Sequence, residues 1–246
     1  MKEQTPLLGI FDSGVGGFSV LQELRKVTDA DILYFGDCAR APYGNRRESE
    51  IALFVSEILQ QLQSKGVTHF VSACNSMSVN TTEKLLQESG IPKEQYIDMI
   101  DAVNLIPFEH GSHVLILATH TTIASGLYQS ILNMKGITVS THVSSGLAGE
   151  IETQDSGAIE ISIYESIDAA ISVGATHILY GCTHYPLVDT HFKTAAETRG
   201  WKGLFIDPSI YVAQLVSQWK LVGARDLRIE TSKETPLFTS YSAKVW

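Results

Sequence analysis

Strand-length apolar runs alternate along the chain with stretches whose apolar positions recur every three to four residues, the pattern of βα units on a parallel sheet. The first run, Leu7 to Phe11, ends in "DSGVGG" and passes into "FSVLQELRKV", whose apolar spacing is helical. "DILYFGD" follows, then a loop "CARAPYGNRR", a helix from about Glu48 to Lys65 and a buried strand "HFVSA". After "CNSMS" one helix is expected to run to about Ser89, closed by Gly90 and Pro92. The second half repeats the plan. Strand "HVLILAT", turn "HTTIASG", helix "LYQSILNM" and strand "ITVSTHV" lead through a glycine-containing stretch into the helix "ISIYESIDAAISVG" and the strand "HILYG". A short strand "LFID", a helix from about Ser209 to Val222 and a final strand "PLFTSYS" complete the expected elements.

One pair of segments stands out. "SKGVTHFVSACNS" (64–76) and "SVGATHILYGCTH" (172–184) align without a gap at an offset of 108 residues, sharing Ser64/Ser172, Gly66/Gly174, Thr68/Thr176, His69/His177 and Cys74/Cys182. The strand ending at Asp12-Ser13 also precedes Cys74 by about the distance that the strand ending at Thr119 precedes Cys182. The fold class expected is therefore α/β. Two pseudo-symmetric domains, each a parallel sheet flanked by helices, face one another across a cleft. The expected division is residues 1–98 plus 207–246 for the first domain and 99–206 for the second. Ligand sites on such sheets lie at the carboxyl ends of the strands, where both cysteines fall.

Composition narrows the function classes. The 246 residues are 44% hydrophobic and 18% charged, and no apolar run approaches the roughly 20 residues that span a bilayer. The apolar core near the N-terminus is too short for a signal peptide, so a cytoplasmic location is expected, with Asn80-Thr81-Thr82 an idle glycosylation match. Three cysteines without framework spacing imply free thiols in a reducing compartment. A net charge of −9 supplies no basic face for nucleic acid; Arg40, Arg46 and Arg47 form the only local basic cluster.

Thiols at strand-to-helix turns feel the positive end of the helix dipole, which is expected to lower their pKa toward neutrality. Two thiols on opposite sides of one cleft address opposite faces of a tetrahedral carbon, one removing a proton while the other delivers one, as inversion of a stereocentre requires. The turns "DSGVGG", "CNSMS", "HTTIAS" and "CTHYP" offer amides and hydroxyls for an anionic substrate without any arginine. Asp12 and His184 are the titratable groups near enough to assist a thiol; Asp12 has a second reading as a helix N-cap and His184 as a satisfied core histidine. Other motifs fail. Ser19 stands where a dinucleotide fingerprint needs its third glycine, and Cys38, Cys74, Cys182 and His184 lack the spacing of a metal site. Cys38 lies in a loop and is expected to have no catalytic role.

The segments "GIFDSGVGG", "YFGDCARAPYGNR", "SACNSMS", "ATHTTIASGLYQ" and "LYGCTHYPLV" occur in the order and spacing of the cofactor-independent aspartate/glutamate racemase family, and the chain resembles its glutamate racemases over nearly its whole length. The resemblance implies proton transfer at the α-carbon of glutamate without pyridoxal phosphate, other cofactor or metal. Cys74 and Cys182 would be the two acid/base thiols, assisted by Asp12 and His184. Substrate contacts would come from Asp12, Ser13, Tyr43, Gly44, Asn75, Ser76, Thr183 and His184, with Thr119 and Thr122 as further candidates. It implies a supply of D-glutamate for peptidoglycan and permits a homodimer. Aspartate or maleate as substrate, a non-catalytic binding role and a thiol redox role are the competing readings. The chain departs from the family most in "HVSSGLAGEIETQD" (142–155), where a proline-rich segment and a histidine-orienting glutamate are usual; Glu150 and Glu152 are the two candidates for that glutamate.

Overall fold

The computed structural model describes residues 6–144 and 146–244; the opening residues weighed above as a leader and Ser145 of the atypical segment lie outside the described residues. The first half runs β1 (Leu7–Asp12), α1 (Gly17–Leu24), β2 (Asp31–Gly36), α2 (Glu48–Ser64), β3 (His69–Ser72), α3 (Asn75–Ser78), α4 (Glu83–Glu88), β4 (Tyr96–Asp98) and α5 (Met99–Val103). Then come β5 (His113–Ala118), α6 (His120–Ala124), α7 (Leu127–Met134), β6 (Thr138–Val143), α8 (Leu147–Thr153), α9 (Ser156–Ser172), β7 (His177–Gly181), α10 (Asp189–Arg199) and β8 (Leu204–Ile206). The chain closes with α11 (Ser209–Ser217), β9 (Leu227–Thr231) and α12 (Pro236–Lys244).

Two parallel sheets result, ordered β4-β3-β1-β2-β9 and β6-β5-β7-β8. Read from the other edge, the second is β8-β7-β5-β6, the same order as the first four strands of its partner, with β9 added beyond β2. The repeated segments are thus β3 and β7, each beside the first strand of its half. Leu8 pairs with His69 and Val114 with His177. Each cysteine follows five residues after that histidine, so the register carries Ser13 level with Cys74 and Thr119 level with Cys182.

Burial explains why the elements hold. β1 and β5 are apolar runs covered on both faces, as central parallel strands require. α2 buries Ile51, Val55, Ile58, Leu59 and Leu62, one face at helical spacing, against Phe11, Leu33 and Phe70. Each such aliphatic side chain contributes about 1.5–3 kcal/mol relative to exposure.

Three expectations need correction. "PLFTSYS" is not a strand but lies in α12, because Leu237, Phe238 and Tyr241 recur at helical spacing and pack on Phe18, whose ring stacks on Tyr34 at 4.5 Å. The fifth strand of the first sheet is instead β9, whose alternating "LRIET" suits a half-buried edge. The helix expected through Ser89 is two helices, since the Thr82 hydroxyl accepts the Leu85 N–H and caps a new start. The helix expected to reach Val222 ends at Ser217.

Candidate active site

Both cysteines sit where strands end. Cys74 is the N-cap of α3, and Cys182 immediately follows β7. Both are buried, and both help to wall a single cavity of about 300 Å³. Around Cys74 the packing is apolar, with Phe11, Tyr43 and Met77 in the same cluster; its Sγ–H donates to the Ser13 hydroxyl at 3.6 Å. Cys182 has the Nδ1 of His184 at 3.7 Å. The Nε2 of that ring lies 2.8 Å from Glu152 Oε1, which also accepts the Val15 N–H at 3.0 Å. Glu152 on α8 therefore joins the histidine of one half to the turn after β1 in the other. Of the two candidate glutamates, Glu152 meets His184; Glu150 folds toward Gly146 and leaves its Oε2 buried without a partner among the described residues.

Electrostatics separate the two thiols. Burial, reinforced by the neighbouring Asp12 charge, pushes the Cys74 thiol up to about 12. The expected drop toward neutrality is overturned here, because a four-residue helix has little dipole to set against desolvation. At His184, burial disfavours the charged ring, but hydrogen bonds and charge interactions with Cys182 and Glu152 outweigh it and raise the pKa well above the usual value. Both ring N–H groups then donate, one to the sulfur and one to the carboxylate. Glu152 is lowered despite its burial by the His184 partner and the Val15 N–H. Asp12 is raised by full burial, against the pull of His184 and the Gly14 N–H.

The residues singled out in the sequence converge, with differences in rank. Ser13, Tyr43, Gly44, Asn75, Ser76, Thr119, Thr183 and His184 join the cysteines in the cavity wall. Asp12 and Thr122 stand behind it. The Asp12 carboxylate accepts the Gly14 N–H at 2.7 Å and the Thr183 hydroxyl at 3.2 Å, and the Thr122 hydroxyl meets that of Thr119 at 3.1 Å. The Tyr43 hydroxyl donates to Asp37, so the cavity receives the residue but not a free phenol. Gly44 is required sterically, since a Cβ there would lie 2.7 Å from Thr119 across the cleft.

Glu152, one of the two candidate glutamates, lines the cavity as well, together with Ala148, Gly149 and Thr153 of α8 and with Cys38, Pro42 and Thr235, none of which was picked out as a site residue. The α8 group spans positions 148, 149, 152 and 153, one face of a helix, a signal that became readable only once that stretch is seen to be helical. A larger cleft of about 750 Å³ lies beside α1, α10 and Tyr241 but contains neither cysteine. Among the described residues no three His, Cys, Asp or Glu side chains group as metal ligands, and no helix is long and apolar enough to cross a membrane.

The sequence model of the Asp/Glu/Hydantoin racemase family matches residues 17–214. The chain belongs to that family. It is 31% identical to a glutamate racemase of Trichodesmium erythraeum over 247 residues, covering 96% of this chain and 86% of that one. Among solved structures, the glutamate racemase of Francisella tularensis in complex with D-glutamate superposes with a TM-score of 0.83 at 25% identity, covering 98% of this chain and 93% of the other. An aspartate racemase of Picrophilus torridus shares the fold more distantly, with a TM-score of 0.64 at 18% identity over 87% and 94% of the two chains. As members of this racemase family, the two halves carry the parallel α/β architecture read from the repeat.

Proposed function

We propose that this racemase interconverts L- and D-glutamate by two-thiol proton transfer. The observation that carries the reading is that two buried thiols, one from each sheet, open onto the same small cavity. In the proposed resting form Cys74 is a thiol and Cys182 a thiolate paired with the His184 imidazolium. The Cys182 sulfur takes the α-proton from one face of the substrate, the electron pair remains on carbon, and Cys74 returns a proton to the other face. The opposite enantiomer meets the opposite protonation states. Glu152 holds the His184 ring, and Asp12 bears on Cys74 through its charge. The hydroxyls and amides of Ser13, Asn75, Ser76, Thr119 and Thr183 serve the substrate's charged groups. The likeness to relatives named as glutamate racemases supports glutamate as substrate and, with it, a cytoplasmic supply of D-glutamate for peptidoglycan. We further propose that the halves divide as 1–98 plus 207–246 and 99–206, so that the cavity opens and closes between them, and that the enzyme requires no cofactor.

Replacing either sulfur tests this directly. Cys74→Ala and Cys182→Ala should each lower racemisation of glutamate by at least about a thousandfold, the scale of a lost acid/base group. Retained interconversion in both variants, without added cofactor, would defeat the proposal. A parallel turnover screen of glutamate, aspartate and maleate decides the substrate.

A further inference from the structure

Asn75 follows Cys74 directly and forms part of the cavity wall, yet its side chain is almost wholly buried. Its Oδ1 accepts a hydrogen bond from the Tyr128 phenol, and its Nδ2 is buried without any partner among the described residues. An amide that gives its oxygen to a neighbour and keeps both N–H bonds unspent is costly in a protein interior, unless a ligand takes them. Tyr128 lies on α7, in the other half of the molecule, and is fully buried. Burial raises its pKa well above the ordinary phenol value, which keeps the hydroxyl protonated as a donor. Among the described residues the phenol has one acceptor, Asn75 Oδ1. Turning the amide over would leave the phenol hydrogen with no acceptor, so the phenol dictates which amide atom is left for the cavity.

We infer that Tyr128 is a positioning residue, which locks the Asn75 amide with its N–H groups available to a substrate carboxylate beside Cys74. The neighbouring hydroxyls of Ser76 and Thr119, 3.1 Å apart, extend the same polar wall. Because Asn75 and Tyr128 come from opposite halves, the amide is correctly set only when the halves are together. The inference rests on the proposed function for the identity of the carboxylate.

The test is a double-mutant cycle of Tyr128→Phe and Asn75→Ala, reading D-glutamate affinity by calorimetry, KM and kcat by racemisation, and folding by thermal denaturation. Tyr128→Phe keeps the ring and removes only the donor. It should weaken Kd and KM about three- to tenfold, the reach of one neutral hydrogen bond, with kcat changed less. Asn75→Ala should weaken binding at least as much, and adding Tyr128→Phe to it should cost nothing more. An unchanged Kd in folded Tyr128→Phe, or full additivity in the double variant, overturns the inference. A wild-type protein that binds D-glutamate without racemising it would defeat the functional reading while the affinities still decide the role of Tyr128. A wild-type protein that does not bind D-glutamate at all would overturn both.

Discussion

The two cysteine ends of the molecule begin from one plan and finish differently. Each thiol follows a strand beside the first strand of its half, with a hydroxyl residue level with it, Ser13 beside Cys74 and Thr119 beside Cys182. At Cys74 that hydroxyl is the sulfur's partner, and apolar packing holds the proton on. At Cys182 the equivalent Thr119 bonds Ser76 and Thr122 instead, and a histidine backed by a glutamate takes over the sulfur. Duplication thus fixes where the thiols stand, whereas the residues after the repeat diverges, Asn75-Ser76 against Thr183-His184, decide what each sulfur meets. The offset of 108 residues sharpens this. It relates α2 to α9 end for end, and carried upstream it pairs Gly44 with Glu152. At one position of the repeat, the first half has a glycine pressed against Thr119, and the second half has the carboxylate that charges the histidine.

The largest effect expected from breaking this comparison is on hydrogen exchange. Under the proposed two-thiol mechanism, a site with only one thiol left removes and returns a proton on one face but cannot invert. In deuterium oxide, Cys74→Ala and Cys182→Ala should each wash label into a single enantiomer of glutamate, and not the same one. Label entering both enantiomers in either variant would mean that the two faces are not divided between the two sulfurs. A smaller effect compares the partners. His184→Asn should lower kcat by about a hundredfold or more, as loss of an assisting acid/base group does. Ser13→Ala removes one neutral hydrogen bond and should cost about tenfold or less. Equal losses would show that the two thiols are assisted alike, contrary to their surroundings.

How much of this was legible beforehand follows from local physics. The βα alternation, the repeat and the strand-end cysteines stand in the sequence because parallel strands need unbroken apolar runs and their turns need glycine and small polar residues. The C-terminal segment misled because Leu237, Phe238 and Tyr241 are as good strand residues as helix residues, and only their packing on Phe18 decides between them. β9 escaped because two of its five residues are charged, as an edge strand permits. The choice between Glu150 and Glu152 was unreadable while residues 147–153 were taken as an irregular glycine stretch. On a helix two residues apart means nearly opposite faces. Leu147 and Ile151 fix the buried face, and Ala148, Gly149, Glu152 and Thr153 then turn to the cavity. Tyr128 stands inside the segment "ATHTTIASGLYQ", but nothing local marks its role, since its partner is 53 residues away and in the other half.

The smallest effect expected is on stability, and it isolates the element that makes the two ends unlike. The His184 pKa is raised from 6.5, so its contribution is complete below about pH 6.5 and fades as pH rises through the higher folded value. The Glu152 pKa is lowered from 4.5, so its contribution is complete above about pH 4.5 and fades as pH falls through the lower folded value. Glu152→Gln keeps the shape and removes the charge. Its thermal midpoint should fall below wild type by about 2–6 °C, the scale of one charge-assisted hydrogen bond in a chain of this length. That gap should be widest between about pH 4.5 and 6.5 and should narrow on both sides, because on the acid side the wild-type carboxylate is neutralised and on the alkaline side the ring is. A gap that stays constant from pH 4 to pH 9 would mean that Glu152 contributes by packing and by its bond to the Val15 N–H rather than by charging His184. The contrast between the two thiols would then have to rest on the histidine alone.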